Sequence, residues 1–365
     1  MRIVYLNYFY SKKYEHPEDW LATMQSVNIV LEQLAKKHSI ISVQQINYAG
    51  ALAKNGVHYR FVDFYQKATF LPFRLNRFVK TLKADVIIIH GTVFPLQTIL
   101  LRLLVGKRIT IVIQHHAEQP FRGIKKIVQK IACTMVNAYF FPSTIISSQW
   151  QQNGHISISK PIFKIHEGAS SFQKIDKPIA RLCTKLSGQP IYIWVGRLDT
   201  NKHPLLTIKA FERFLQVQPT AKLYILFYRY ELLEEVNHYL LQKLLTTKII
   251  LIGKIPYQEM PNWYSSADFY ISSSFKEGTS FSLSEAMSCG CIPIVTNIPT
   301  HVDMLGNSSG LLYEAGNENA LFEALVTSLH LSIETESLKA FQQYQYHLSP
   351  SSIADSTVSA LRELV

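Results

Sequence analysis

The stretch from Tyr264 to Asn297, YSSADFYISSSFKEGTSFSLSEAMSCGCIPIVTN, predicts a strand, a loop, a helix and a second strand. These elements are the strand Phe269–Ser273, the loop Phe275–Phe281, the helix Ser282–Ser288, which Gly290 ends, and the strand Ile292–Thr296. Two parallel strands joined by a helix form a right-handed unit that binds ligands at the carboxyl ends of its strands. The stretch therefore predicts an α/β fold and places the candidate site in the loop.

Two acids with seven residues between them flank this loop, Glu277 and Glu285. The backbone amides between them lie at the amino end of the predicted helix, where the helix dipole favours an anion. They belong to Gly278, Thr279, Ser280 and Phe281. Alternatively, Glu285 forms a capping box with Ser282, and Glu277 is an exposed loop acid without a function. The pattern predicts an anion site with an acid on either side, and both alternatives stay open.

A second strand-to-helix turn follows the apolar strand Ile191–Val195. The turn GRLDTNKH, residues 196–203, carries Arg197 and Lys202, and Pro204 then begins a helix at its favoured first position. Both cations fall at the edge of the predicted sheet that also carries Glu277. They complement an anion there, and the alternative is two solvated surface cations.

The two motifs together resemble those of the GT4 family of retaining glycosyltransferases, also called glycosyl transferases group 1. Glu277-x7-Glu285 within KEGTSFSLSEAMSCGCIPIV resembles the family signature, and GRLDTNKHPLLTIKAF resembles its second motif. The resemblance covers residues 185–330 well and the first half only in outline. It implies an α/β GT-B fold of two Rossmann-like domains that face each other across a cleft.

The resemblance also implies roles for individual residues. Arg197 and Lys202 would hold the diphosphate of a nucleotide sugar, and Glu285 would hold the ribose hydroxyls. Glu277 would face the transferred sugar as a catalytic residue, and the turn at Ile255 would lie against the base. The amides of the loop complete the donor site; they are those of Gly278, Thr279, Ser280 and Phe281.

The first half of the chain alternates predicted strands and helices, which indicates a parallel sheet covered by helices. Its strands are Arg2–Leu6, Ile40–Gln44, Val86–Ile89 and Ile109–Ile113, and Trp20–Lys37 is a long amphipathic helix. Three histidines follow two of these strands: His90, His115 and His116. The family often has a histidine there, near the transferred sugar. We favour His116 as that catalytic residue, with His90 and His115 as candidate sugar or acceptor contacts; structural roles are the alternative.

Length and the change of pattern predict three segments in 365 residues. Residues 1–165 form an acceptor-side Rossmann-like domain, and residues 166–348 form the donor domain. Residues 349–365 form a terminal helix, which in the family crosses back to the first domain. The loop Asn7–Asp19 lacks the Gly-Gly pair that many family members place near the donor phosphates.

Charge is distributed unevenly between the halves. Residues 1–165 hold 21 Lys and Arg against 7 Asp and Glu, net +14, and residues 166–365 hold 16 against 19, net −3. Two basic clusters alternate with apolar residues at helical spacing: Arg74, Arg77, Lys80 and Lys83, and Arg122, Lys125, Lys126 and Lys130. A basic amphipathic face favours contact with an anionic membrane or an acidic acceptor, and a solvated helix face is the alternative. No nucleic-acid-binding motif accompanies the charge, so we expect no nucleic-acid partner.

The remaining composition indicates a cytoplasmic protein. Four scattered cysteines favour reduced thiols over disulfides or zinc. Met1–Leu6 runs directly into a strand without the layout of a signal peptide, and the apolar region 86–105 is interrupted by polar residues. We expect a cytoplasmic location, with peripheral contact at the inner face of the membrane.

The leading hypothesis is a hexosyltransferase that needs neither a metal nor another cofactor. The sequence contains no Asp-x-Asp metal motif, and cations with a helix amino end can meet the charge of a diphosphate leaving group instead. The substrates would be a nucleotide sugar and a glycan or lipid-linked acceptor, in the synthesis of cell-surface polysaccharide. The alternatives are a GT-B phosphorylase, a nucleotide-sugar epimerase, and a non-catalytic nucleotide-sugar-binding module.

Overall fold

The computed structural model describes residues 1–64, 71–116, 118–306 and 309–365, which form two compact units. One unit contains Met1–Ala169 and Pro350–Val365, and the other contains Ser170–Ser349. Each is a mainly parallel sheet with helices on both faces, which confirms the predicted α/β class.

The sheet of the first unit is mixed, with one antiparallel pair. Its strands are β1 (Arg2–Ser11), β2 (Ser39–Ile46), β3 (Gly50–Lys54), β4 (Val57–Val62), β5 (Val86–His90), β6 (Thr110–Gln114), β7 (Ala138–Phe141) and β8 (Ile162–Lys164). Their order is β3-β4-β2-β1-β5-β6-β7-β8, and β3 pairs antiparallel with β4. Because the order changes direction between β1 and β5, the crevice of this sheet lies at their carboxyl ends.

Helices cover both faces of this sheet. They are α1 (Pro17–Thr23), α2 (Gln25–Ala35), α3 (Phe73–Thr81), α4 (Pro95–Val105), α5 (Ile124–Met135) and α6 (Thr144–Gln152). Alternate residues of β1 point to opposite faces, so Ile3 packs with α1 and α2, and Val4 packs in the cluster with α3 to α6. The single helix predicted at Trp20–Lys37 was wrong, because the helix breaks at Met24, whose backbone is not helical (φ −101°, ψ 24°).

The second unit has the strand order of a doubly wound nucleotide-binding sheet. Its strands are β9 (Ile191–Gly196), β10 (Lys222–Phe227), β11 (Ile249–Gly253), β12 (Phe269–Ser272), β13 (Ile292–Thr296) and β14 (Leu311–Tyr313). Their order is β11-β10-β9-β12-β13-β14, and all neighbours pair in parallel. The order changes direction between β9 and β12, where such sheets bind their ligands.

The helices of the second unit again lie on both faces of the sheet. They are α7 (Lys177–Thr184), α8 (Pro204–Phe214), α9 (Leu233–Gln242), α10 (Met260–Ser266), α11 (Phe281–Ser288), α12 (Pro299–Leu305), α13 (Glu318–Ser328) and α14 (Ile333–Gln343). Tyr192 and Trp194 of β9 pack with α8 and α9, and Ile191 and Ile193 pack in the cluster with α10 and α11. Burial on both sides explains why these strands read as continuous apolar runs.

The last helix, α15 (Pro350–Arg362), belongs to the first unit, where it packs against α2. Ile353 and Leu361 of this helix are buried in the same cluster as Ile3. Within the described residues, no helix combines the length and the apolar character that crossing a bilayer requires.

Candidate active site

The two motifs of the second unit meet at the carboxyl ends of neighbouring strands. Ile271 of β12 pairs with Trp194 of β9, so the turn after Gly196 and the loop after Ser272 start side by side. A Cβ on Gly196 would lie 3.1 Å from the Trp194 ring and 3.4 Å from the Lys202 side chain. Glycine at this position therefore lets Lys202 fold back over the end of β9.

The central contact is an ion pair between Lys202 and Glu277. Lys202 Nζ lies 2.5 Å from Glu277 Oε1, and the two side chains are only 13% and 12% exposed. Arg197 is more open, with a third of its side chain exposed, and its Nε lies 3.0 Å from Asp199 Oδ2. The other oxygen of Asp199 accepts a hydrogen bond from the Lys202 backbone N–H at 2.9 Å. The Asp199 carboxylate thus fixes the Arg197 side chain and the Lys202 backbone in a single turn.

Neutral polar groups fix the two loops against each other. Asn201 accepts a hydrogen bond from the Phe275 N–H at 2.9 Å and donates its side-chain N–H to the Lys276 carbonyl at 3.0 Å. The buried Ser273 hydroxyl donates to the Lys202 carbonyl at 2.6 Å. These supporting contacts were not predicted from the sequence, although short polar side chains that follow a buried parallel strand are a signal for them.

Helix α11 begins with backbone donors and unpaired hydroxyls. It starts at Phe281, one residue before the predicted start, and Ser280 stands at its N-cap without a side-chain capping bond. The hydroxyl oxygens of Ser280 and Ser284 are buried without a hydrogen-bond partner. The Phe281 N–H donates a hydrogen bond to the Thr279 carbonyl at 3.0 Å. Because buried polar groups are normally paired, the two hydroxyls and the next amides of α11, those of Ser282 and Leu283, are available to a ligand anion.

Glu285 does not form the alternative capping box with Ser282. Its side chain is buried, and Oε2 accepts a hydrogen bond from the Tyr264 hydroxyl at 3.0 Å. Burial raises the pKa of Glu285 from 4.5 to about 7, although the Tyr264 hydrogen bond opposes the shift. The capping interpretation was therefore wrong, because the tertiary partner Tyr264 lies outside the local pattern.

The raised pKa of Glu285 predicts a specific pH dependence of stability. The folded state binds a proton more tightly than the unfolded state, so stability falls as pH rises from about 4.5 to about 7. The loss amounts to up to about 3 kcal/mol at 1.36 kcal/mol for each pKa unit. Urea unfolding of the ligand-free protein at pH 5 and pH 8 measures it.

Glu285→Gln is the control for this measurement. All other titrating groups are common to both proteins, so the stability of the wild type should fall by about 3 kcal/mol relative to the variant between these pH values. An identical pH dependence in the two proteins would mean that Glu285 does not titrate in this range.

The three histidines of the first unit lie at the crevice of its sheet but have different environments. His90 Nδ1 lies 3.1 Å from His116 Nε2, and His116 Nδ1 contacts the carboxylate of Glu167. His115 is 1% exposed and its ring stacks on Phe141 at 4.4 Å between centroids. Of the two adjacent histidines, His115 is thus packed in the interior, whereas His116 keeps 26% of its side chain exposed.

Two glutamates that the sequence analysis did not single out hold this cluster in place. Glu118 accepts hydrogen bonds from the backbone N–H groups of His116 at 2.7 Å and Thr92 at 2.9 Å, which joins the loops after β5 and β6. Burial lowers the pKa of His90 to about 3, so it is neutral at pH 7. The Glu167 carboxylate accepts a hydrogen bond from His116 Nδ1–H, and the other ring nitrogen of His116, Nε2, faces His90 Nδ1.

The other predicted donor contact, Ile255, follows β11 at the same edge of the second sheet. It is partly buried and packs against the hydrophobic cluster that contains Tyr264 and Leu283. Among the described residues, no group of three or more histidine, cysteine, aspartate or glutamate side chains is arranged to hold a metal ion.

Comparison with known proteins identifies part of the chain. Residues 183–347 match the family model for glycosyl transferases group 1. A curated relative is N-acetylgalactosamine-N,N'-diacetylbacillosaminyl-diphospho-undecaprenol 4-alpha-N-acetylgalactosaminyltransferase of Campylobacter jejuni, which is 32% identical over 142 residues. The match covers 37% of this chain and 36% of that protein, so this chain spans little more than a third of the relative's length.

Solved structures resemble the whole chain at low sequence identity. Sucrose-phosphate synthase from Thermosynechococcus elongatus has a TM-score of 0.75 at 13% identity, covering 100% of this chain and 99% of that one. Anabaena HepE in complex with UDP has a TM-score of 0.73 at 13% identity, covering 100% of both chains. A glycosyltransferase from Rickettsia africae has a TM-score of 0.75 at 14% identity, covering 99% and 97%. These likenesses confirm the predicted GT-B fold with its Rossmann-like units, and the match over residues 183–347 makes the second unit similar to glycosyl transferases group 1.

Proposed function

We propose that this protein is a retaining, metal-independent glycosyltransferase of the GT4 type. It transfers a sugar from a nucleotide-diphosphate sugar to a glycan or lipid-linked acceptor in the synthesis of cell-surface polysaccharide. The observation that carries the proposal is the meeting of Arg197, Lys202, Glu277 and the start of α11 at one strand switch point. Retention of configuration is carried over from the family resemblance.

The charge arrangement fits a diphosphate leaving group. Negative charge grows on the diphosphate as the sugar bond breaks, and fixed donors that meet it can each lower the barrier by about 3–4 kcal/mol. A third of the Arg197 side chain is exposed, and the Glu277 carboxylate holds the Lys202 ammonium in place. The amides of Ser282 and Leu283 near the start of α11 and the hydroxyls of Ser280 and Ser284 add uncharged donors.

The two acids have separate roles in this proposal. Glu277 faces the transferred sugar and steadies the positive charge that develops on it, while its ion pair holds Lys202 ready for the phosphate. Glu285, fixed by Tyr264, accepts hydrogen bonds from the ribose hydroxyls. His116, oriented by Glu167, is the residue of the first unit that we propose for catalysis.

Comparisons suggest substrates for the first assays. The Campylobacter relative is named for an undecaprenol diphosphate substrate, and Anabaena HepE was solved with UDP and with UDP and glucose. We therefore propose a lipid-linked acceptor and a uridine nucleotide donor, at the inner face of the membrane. The basic first half of the chain, net +14 over residues 1–165, supports peripheral contact with anionic lipid.

The decisive experiment measures nucleotide binding and then transfer. UDP, GDP, CDP and ADP are screened by the rise in melting temperature that a bound ligand causes, and the sugars of the preferred nucleotide are tested for transfer or donor hydrolysis. Nucleotide-dependent stabilisation without any turnover would favour a non-catalytic binding module. Turnover that requires inorganic phosphate would favour a phosphorylase.

Arg197→Ala is expected to lower kcat by about 10²-fold, because it removes one donor from the growing charge of the leaving group. The measurement is the initial rate of sugar transfer at saturating donor. Arg213→Ala is the matched control, since Arg213 also contacts a carboxylate, that of Glu318, but lies on the exposed face of α8. An Arg197→Ala enzyme that transfers sugar at the wild-type rate would remove Arg197 from the site.

A further inference from the structure

Helix α5 exposes a stripe of large apolar side chains. Ile124, Ile127 and Ile131 are 81%, 60% and 45% exposed, and their spacing of three and four residues places them on one side of the helix. Its other side packs into the unit through Gln129, Ala132 and Cys133, which are buried. The fold therefore leaves the more hydrophobic edge of this helix in water.

Neighbouring helices extend this surface. Helix α4 packs beside α5 and α3 packs beside α4, so the three form one layer on the sheet. Leu103 of α4 is 69% exposed and Phe73 of α3 is 57% exposed. A group of exposed apolar side chains on neighbouring elements marks an interaction surface rather than scattered exposure.

The same layer is strongly basic. Helices α3, α4 and α5 contain seven Lys and Arg, of which Arg102 is buried, and no acidic residue. The only acids in the sequence between Phe64 and His166 are Asp85 and Glu118. Lys125 and Lys130 are exposed on either side of the isoleucine stripe, and the exposed Lys107 and Arg108 follow α4. Glu118 is engaged by backbone N–H groups, so it adds little acidity to the surface.

The combination of exposed apolar side chains and positive charge indicates which kind of partner binds this surface. A second copy of the chain would bring two positive surfaces together, and a nucleic acid would neutralise the cations but leave the isoleucines in water. An anionic bilayer satisfies both features, because isoleucine side chains enter the boundary of the acyl chains while lysine and arginine reach the lipid phosphates.

We propose that the α3–α4–α5 layer is a membrane-docking surface for anionic lipid, inserted through Ile124, Ile127 and Ile131 of α5. The inference deepens the proposed function, since it gives a lipid-linked acceptor a surface at which to meet the enzyme. Binding of the bilayer itself requires no transferase activity, so the two proposals fail separately.

The test is sedimentation of the full chain with vesicles of 30% phosphatidylglycerol and 70% phosphatidylcholine. We expect binding that falls at least 10-fold with pure phosphatidylcholine vesicles and again in 0.5 M NaCl, as surface charge attraction requires. The triple variant I124S/I127S/I131S should bind the anionic vesicles at least 10-fold more weakly. Because the three side chains are exposed, its melting temperature should equal that of the wild type.

The matched control replaces two apolar side chains of the second unit. Ile179 and Leu182 of α7 are 56% and 78% exposed, and I179S/L182S should bind vesicles like the wild type. Equal binding by the triple variant, or no binding to anionic vesicles, overturns the proposal. Self-association that the triple variant abolishes would assign the surface to a second copy instead. Nucleotide-induced stabilisation of the same samples reports on the proposed function independently.

Discussion

Glu277→Gln is expected to lower the rate of sugar transfer by about 10³-fold while nucleotide binding is preserved or strengthened. The substitution keeps the size of the side chain but removes the negative charge that would steady the developing charge on the sugar. It also releases Lys202, whose Nζ now lies 2.5 Å from Glu277 Oε1, to interact fully with the diphosphate. Transfer rates at saturating donor and calorimetric titration of the free nucleotide measure the two effects.

Because transfer should fall while nucleotide binding does not, the expected result differs from that of a folding defect. A variant that is merely misfolded would lose both transfer and binding, whereas the lost charge should lower only transfer. Glu231→Gln is the matched control, because Glu231 is an exposed acid of the same unit without a place in the site. Transfer within tenfold of the wild type would show that the Glu277 carboxylate takes no part in the chemistry.

The sequence was most informative where one local pattern determined the structure. Strand β13 occupies the predicted residues Ile292–Thr296, and β12 ends one residue before the predicted Ser273, because strands buried on both faces appear as unbroken apolar runs. The turn after β9 follows equally directly, since Gly196 and Pro204 mark its ends. The meeting of Lys202 and Glu277 then results from the strand order, in which β9 and β12 are neighbours.

Local patterns failed where a distant residue decides the outcome. Ser282 and Glu285 fit a capping box, but Tyr264 holds the carboxylate of Glu285 in the interior. The roles of Glu167 and Glu118 depend on the histidines that the fold brings to them. The break at Met24 is invisible to periodicity, since the apolar face of the helix continues on both sides of it. Such contacts require the tertiary structure.

Lys202→Ala is expected to destabilise the protein by about 3 kcal/mol or more and to reduce transfer by about 10³-fold. The ion pair is largely buried, and removing one partner leaves the Glu277 carboxylate desolvated without its counter-charge. The loss of transfer has a second cause, because Lys202, which pairs with Glu277, is also the cation placed to meet the diphosphate. Urea unfolding gives the first quantity and transfer assays at saturating donor give the second.

The double variant K202A/E277A separates these two causes. With both charges gone, no uncompensated ion remains, so most of the lost stability should return while transfer stays undetectable. Lys339→Ala is the matched control, since Lys339 pairs with Glu336 at 2.7 Å on the surface of α14, where such pairs contribute less than about 1 kcal/mol. If the double variant were as unstable as Lys202→Ala alone, the ion pair would not be the source of the instability. If it transferred sugar, neither charge would be required for catalysis.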